Sequence, residues 1–225
     1  MTMAFSFFKR GSGSDDRLDR IEATIQQMLA DDRETFDMAM SALMGDVEPK
    51  AVRKQIKATD KRVNEGERSV RRELVVHASV VGSLDSPALF VYMSIVKDIE
   101  RIGDYAKNLL DLSRDGAVLG EHDDWRPRWH EAAEMITATA AAFADRDVDH
   151  AKTLLSQGDV LLSRYDDEVS ELVKHGHGEP EAVARALALR YLKRIIAHLT
   201  NVLSSIVMPL DRIDYFDEDP EDREP

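Results

Sequence analysis

Cysteine is absent from the chain, which excludes disulfides, thiolate zinc sites and cysteine nucleophiles and suits a reducing cytoplasm. Basic charge is in deficit: 43 acidic against 30 basic residues leave a formal net charge of −13. That balance disfavours attraction to phosphate backbones and anionic lipid, so nucleic acid is not an expected partner. No apolar run reaches the roughly 18 residues of a membrane span, and the chain is expected to be soluble. A Gly-rich phosphate loop and a serine nucleophile motif are also missing. The opening MTMAFSFFKRGSGSDD lacks the charge-first order and small-residue cleavage site of a secretory signal. Residues 1–14 are read as a flexible segment that stays attached, the alternative being a docking foot for a membrane-bound partner.

What is present is helical punctuation. Prolines at 49, 87, 127, 180 and 209 stand near plausible helix boundaries and none interrupts a long periodic run. Ser86-Pro87 reads as an N-cap and first helical position, and Glu179-Pro180 opens another helix. The pattern predicts an all-α chain of six long helices near 15–44, 49–79, 87–114, 126–145, 148–174 and 180–207. Two runs rich in strand formers, 74–81 and 89–96, flank a turn-like GSLDSP, but each continues a helical repeat too long for an ordinary strand.

Carboxylates then appear where apolar residues belong. In VKDIERIGDYAKN, residues 96–108, Glu100 and Asp104 share one helix face, beside a seam of Leu89, Met93, Val96, Ile99, Gly103, Ala106 and Leu110. One helix earlier, Ile56, Val63, Val70 and His77 recur every seven residues, and the alternate seam positions are Asp60, Glu67 and Leu74. A buried carboxylate costs several kcal/mol unless neutralised, paired or bound to a cation. Packed together, these helices would converge Asp60, Glu67, Glu100 and Asp104, with Asn64 one turn from Asp60. Such a cluster calls for a metal ion or for strong basic partners, and Arg62, Arg71, Arg72 and Arg101 are near in sequence. Oxygen donors suit magnesium, calcium, manganese or iron better than copper, and also admit zinc.

The helices repeat as two sets of three. Asp60 aligns with Asp159 and Glu67 with Asp166 at a separation of 99 residues, and YLKRIIAHLTN (191–201) aligns with DIERIGDYAKN (98–108). Lys193 then replaces Glu100 and Ala197 replaces Asp104. The resulting organisation is a first repeat over 15–120, a second, degenerate repeat over 121–208, and an acidic disordered tail over 209–225. In that tail Ile213, Tyr215 and Phe216 could alternatively meet a basic partner.

The ERIGD core, the preceding SPALFVYMSIVKD and DKRVNE (60–65) resemble the PhoU family of phosphate uptake regulators over about residues 15–208. The resemblance implies two tandem PhoU-like three-helix bundles with acidic motifs, Glu or Asp followed four residues later by Asp, that bind multinuclear metal clusters. On this chain the motif falls on Glu100 and Asp104, with Asp60 and Asn64 as the facing pair. The second motif departs further, with Asp159, Ser163, Lys193 and Ala197. The implied cofactors are divalent or trivalent metal ions such as iron, zinc, manganese or magnesium. The implied function is a cytoplasmic, nonenzymatic regulator contacting a phosphate transporter, a sensor histidine kinase or both. Membrane contact would come only through partners, and homo-oligomer formation stays open.

Other polar residues take structural readings. Gly103 permits close approach at the seam. Asn108 and Asn201 occupy matching positions and are expected to bond a neighbouring helix's backbone. His77 reads as a core histidine, His175 and His177 as a helix end, and His122, Trp125, Trp129 and His130 as packing of the inter-repeat connection. A di-iron oxidase would need Glu-x-x-His, whereas Glu73–His77 and Glu171–His175 each have one residue too many. A metal-free helical adaptor shares the predicted fold.

Overall fold

Glycine, proline and short polar side chains decide where these helices stop and start. The computed structural model describes residues 15–81, 86–121, 125–179 and 181–213. Six helices follow in order: α1 (Asp15–Leu43), α2 (Pro49–Val81), α3 (Ser86–Arg114), α4 (Trp125–Asp145), α5 (Val148–His175) and α6 (Ala182–Val207). The described residues contain no strand, and the runs 74–81 and 89–96 are helical as the periodicity predicts. No helix is long and apolar enough to cross a membrane, among the described residues.

Gly45 ends α1 at φ 79°, where its N–H reaches the Ala42 carbonyl at 3.1 Å and that of Asp46 reaches Ser41 at 3.0 Å. Glycine takes this left-handed position without a Cβ clash. Pro49 then opens α2, where its missing N–H would have had no helical acceptor. Asp147 caps α5 by accepting the His150 N–H at 2.9 Å. α6 starts at Ala182 rather than 180 because Glu181 takes a left-handed φ of 66° and cannot continue a right-handed helix. Pro180 lies outside the described residues.

The first three helices pack as one group and the last three as another, joined by α3 against α6 and α1 against α4. α2 rests chiefly on α1 and α3, and α5 on α6 and α4. The α2 seam is buried as its seven-residue repeat requires, with Ile56, Val63, Val70, Leu74 and His77 all enclosed. Met93, placed on the α3 seam by its spacing, is instead 37% exposed. The inner face there consists of Tyr92, Ile95, Val96 and Ile99, because α3 serves two groups of neighbours at once.

Polar ties also cross between the groups. Asp98 of α3 meets His198 Nδ1 at 2.8 Å and accepts from Asn201 Nδ2 at 3.1 Å. Asn201 therefore bonds a side chain, not the backbone expected for it, since α3 presents a buried carboxylate at that level. Trp125 is buried, and Trp129 Nε1 donates to Asp37 Oδ1 at 2.8 Å, tying α4 to α1. The start of the expected disordered tail is ordered: a short 3-10 turn covers Leu210–Arg212, and Ile213 is buried while Ser204 Oγ donates to its carbonyl. An apolar side chain here has a core to join. Residues 1–14, His122 and 214–225, with Tyr215 and Phe216, lie outside the described residues.

Candidate metal centre among the first three helices

On α1 the inner positions Ile25, Met28, Leu29, Phe36 and Met40 set a helical stripe. Asp32 falls within it, seven residues after Ile25 and four before Phe36. Its exposure is 0%, and neither carboxyl oxygen has a hydrogen-bond partner. Burial pushes its pKa well above the ordinary carboxylate range, and the charges of Asp31, Glu100, Asp104 and Asp60 push it further the same way. Room for this carboxyl comes from Gly103 on α3, where a Cβ would lie 2.5 Å from Asp32 Oδ1. Gly103 thus admits a side chain from α1, a different use of the close approach anticipated for it.

The structure brings the sequence-predicted residues together in two pairs. Asp60 of α2 and Asp104 of α3 meet at Lys107, whose Nζ lies 2.6 Å from Asp60 Oδ1 and 2.8 Å from Asp104 Oδ1. Partial burial pulls the Lys107 pKa down, but hydrogen bonds to Asp104 and Asp60 leave it above its ordinary value. Asn64 Nδ2 donates to Asp60 at the carbonyl, 2.9 Å, and at Oδ1, 3.1 Å, so in this arrangement it orients Asp60. Glu67 and Glu100, both buried, meet at Lys97, 3.8 and 2.5 Å from Nζ, and Arg71 adds a contact to Glu67 at 3.0 Å.

Of the four arginines considered as neutralising partners, Arg71 alone pairs with a seam acid. Arg62 turns to Asp31, with contacts of 2.7 to 3.1 Å, and to Glu34 at 3.2 Å. Arg72 and Arg101 are exposed. Lysines hold the outer carboxylates, and no three His, Asp or Glu side chains among the described residues are gathered in a metal-holding arrangement. In the second group Lys193 pairs with Asp166, Arg190 stands 3.6 Å from Asp166, and Ala197 is buried. The acid of α3 is thus replaced by a cation in α6.

Asp32 fits a hard cation on chemical grounds. It is an enclosed carboxyl with neither oxygen partnered, subject to the charges of Asp31, Glu100, Asp104 and Asp60, in a gap kept open by Gly103. Residues 25–112, which contain all of these groups, match the family model of the PhoU domain. The chain is similar to the phosphate-specific transport system accessory protein PhoU homolog of Pseudomonas aeruginosa, 27% identical over 163 residues, 68% of this chain and 67% of that protein. The protein so described in Synechocystis is 26% identical over 198 residues, covering 84% and 87% of the two chains. The fold matches the crystal structure of PhoU from Pseudomonas aeruginosa with a TM-score of 0.73 at 24% identity, over 88% of this chain and 98% of that one.

Proposed function

We propose that this chain, whose residues 25–112 match the PhoU domain model, is an accessory regulator of phosphate transport whose first helical group holds a divalent or trivalent cation. Its regulatory work is done through protein contacts with a phosphate transporter, a sensor histidine kinase or both, and not by catalysis. The relatives are named accessory proteins of phosphate-specific transport, and that naming supports the transport reading.

The observation that carries the metal reading is Asp32, buried with both oxygens unpaired and subject to the charges of Asp31, Glu100, Asp104 and Asp60. Asp32, Asp60, Glu100 and Asp104 would hold the ion, with Asn64 orienting Asp60 and Glu67 one step outside. A bound cation would supply positive charge shared by α1, α2 and α3, and so bias how those helices pack. A carboxyl in this position resists ionisation, and a positive charge placed beside it would favour its ionised form. All-oxygen donors favour magnesium, manganese or iron, and zinc is also accommodated.

The second reading is a metal-free adaptor in which Lys97 and Lys107 are permanent counter-ions. It is favoured by the ion pairs those lysines already make. Elemental analysis of untagged full chain purified without chelators, beside Asp104→Ala, separates the two. The metal reading expects near-stoichiometric metal in the parent and its loss in Asp104→Ala with helical content unchanged. Metal absent from both after reconstitution establishes the adaptor. Phosphate uptake in a deletion strain complemented by either form tests the transport role, and uptake that stays normal without the protein contradicts it.

A further inference from the structure

Lys107 occupies the oxygens a cation would need. Its Nζ sits between α2 and α3 on Oδ1 of both Asp60 and Asp104, at 2.6 and 2.8 Å, while Asp32 on the inner side has no partner. The centre is therefore half neutralised by a tethered ammonium on its outer edge. We propose that Lys107 is a resident counter-ion that competes with the metal, so that cation binding displaces its ammonium from Asp60 and Asp104. This rests on the metal-binding reading above.

Three features make displacement feasible. The lysine side chain is 31% exposed, so its head has a route to water. Its four-carbon stem is unbranched and can swing the ammonium outward. Asp60 and Asp104 would exchange one cation for another, leaving their charge compensated throughout. The second helical group offers a contrast, since Lys193 pairs with Asp166 where Glu100 and Asp104 have become Lys193 and Ala197. There the lysine stands in place of the α3 acid and pairs with Asp166. In the first group the lysine sets the cation concentration at which the centre fills. If Asp60 and Asp104 are free of it about one-tenth of the time, apparent affinity is lowered about ten-fold.

The test is calorimetric titration of Mn²⁺ into the full chain, Lys107→Met and Lys61→Met. Lys61 adjoins Asp60 in sequence, but its side chain is 76% exposed and turned to Glu65 at 3.6 Å, so it reports general charge removal. Lys107→Met is expected to bind Mn²⁺ about ten-fold more tightly than the parent, with Lys61→Met changed less than about three-fold. Without metal, Lys107→Met should melt below the parent and gain more from Mn²⁺, because its acids then lack a counter-ion. Lys107→Gln, which keeps a polar tip, should tighten binding in the same direction if the methionine variant folds poorly. Unchanged or weaker binding in both Lys107 variants overturns the proposal, as does equal tightening by Lys61→Met. Those results leave metal binding standing, whereas no Mn²⁺ uptake by any of the proteins removes both readings.

Discussion

A protonated Asp32 binds its proton more tightly in the folded chain than in the unfolded one, because burial first, and then Asp31, Glu100, Asp104 and Asp60, raise its pKa. The native state thus holds more protons at this site. Its contribution to stability is full below the ordinary value of 3.8 and is lost as pH rises through the higher native pKa. Asp32→Asn removes that loss, so the metal-free variant should melt above the parent at neutral pH, with the gain shrinking in acid. Each 1 kcal/mol recovered raises Tm by about 2–4 °C for a chain of this size. With saturating Mn²⁺ the order should invert, since the amide cannot carry the charge; thermal melts at several pH values, with and without metal, check both signs. Asp60, Glu67, Glu100 and Asp104 were legible as anomalies in apolar repeats. Asp32 was not singled out because ADDRET reads as a solvated charged run. The seven-residue step from Ile25 and the four-residue step to Phe36 were the signal that could have found it. The lysine partners were equally hidden, since reach across helices is not written in spacing along one of them.

At the scale of elements, boundary chemistry was mostly readable: Gly45, Pro49 and Asp147 each mark a helix end or start for a physical reason visible in the sequence. The left-handed Glu181 and the burial of Ile213 were not, because both depend on where the chain lands after a helix is docked. The α3–α6 contact depends on Asp98, which meets buried His198 and Asn201 together. Asp98→Ala leaves both without that acceptor and should cost about 1–3 kcal/mol, measured by chemical denaturation. A double substitution of Asp98 with Asn201 should cost less than the sum of the two single changes, because the second removes a group already stranded. Additive losses would show that the tie is not a unit.

For the whole molecule, the two helical groups share a core instead of merely being linked. Asp98 faces α6, and Ile95, Ile102 and Leu109 lie on its helical face at offsets of three, four and eleven residues, all fully buried. A fragment of residues 15–120 would expose that face to water, at about 25 cal/mol per Å² of apolar surface. It should therefore self-associate or lose helicity, which light scattering with circular dichroism would detect. A monodisperse, fully helical monomer would show that the first repeat stands alone. The duplication was legible from Asp60 with Asp159 and from the aligned third helices; the shared core was not, because Met93 and Ile102 carry similar apolarity in the sequence but opposite exposure in the fold.

The most direct measurement is anomalous diffraction at the manganese edge from crystals of the full chain grown with Mn²⁺. The account predicts a peak beside Asp32, with oxygens from Asp60, Glu100 or Asp104 completing the site and the Lys107 ammonium withdrawn from its acids. Density that keeps Lys107 on Asp60 and Asp104, with no anomalous peak near Asp32, would contradict it.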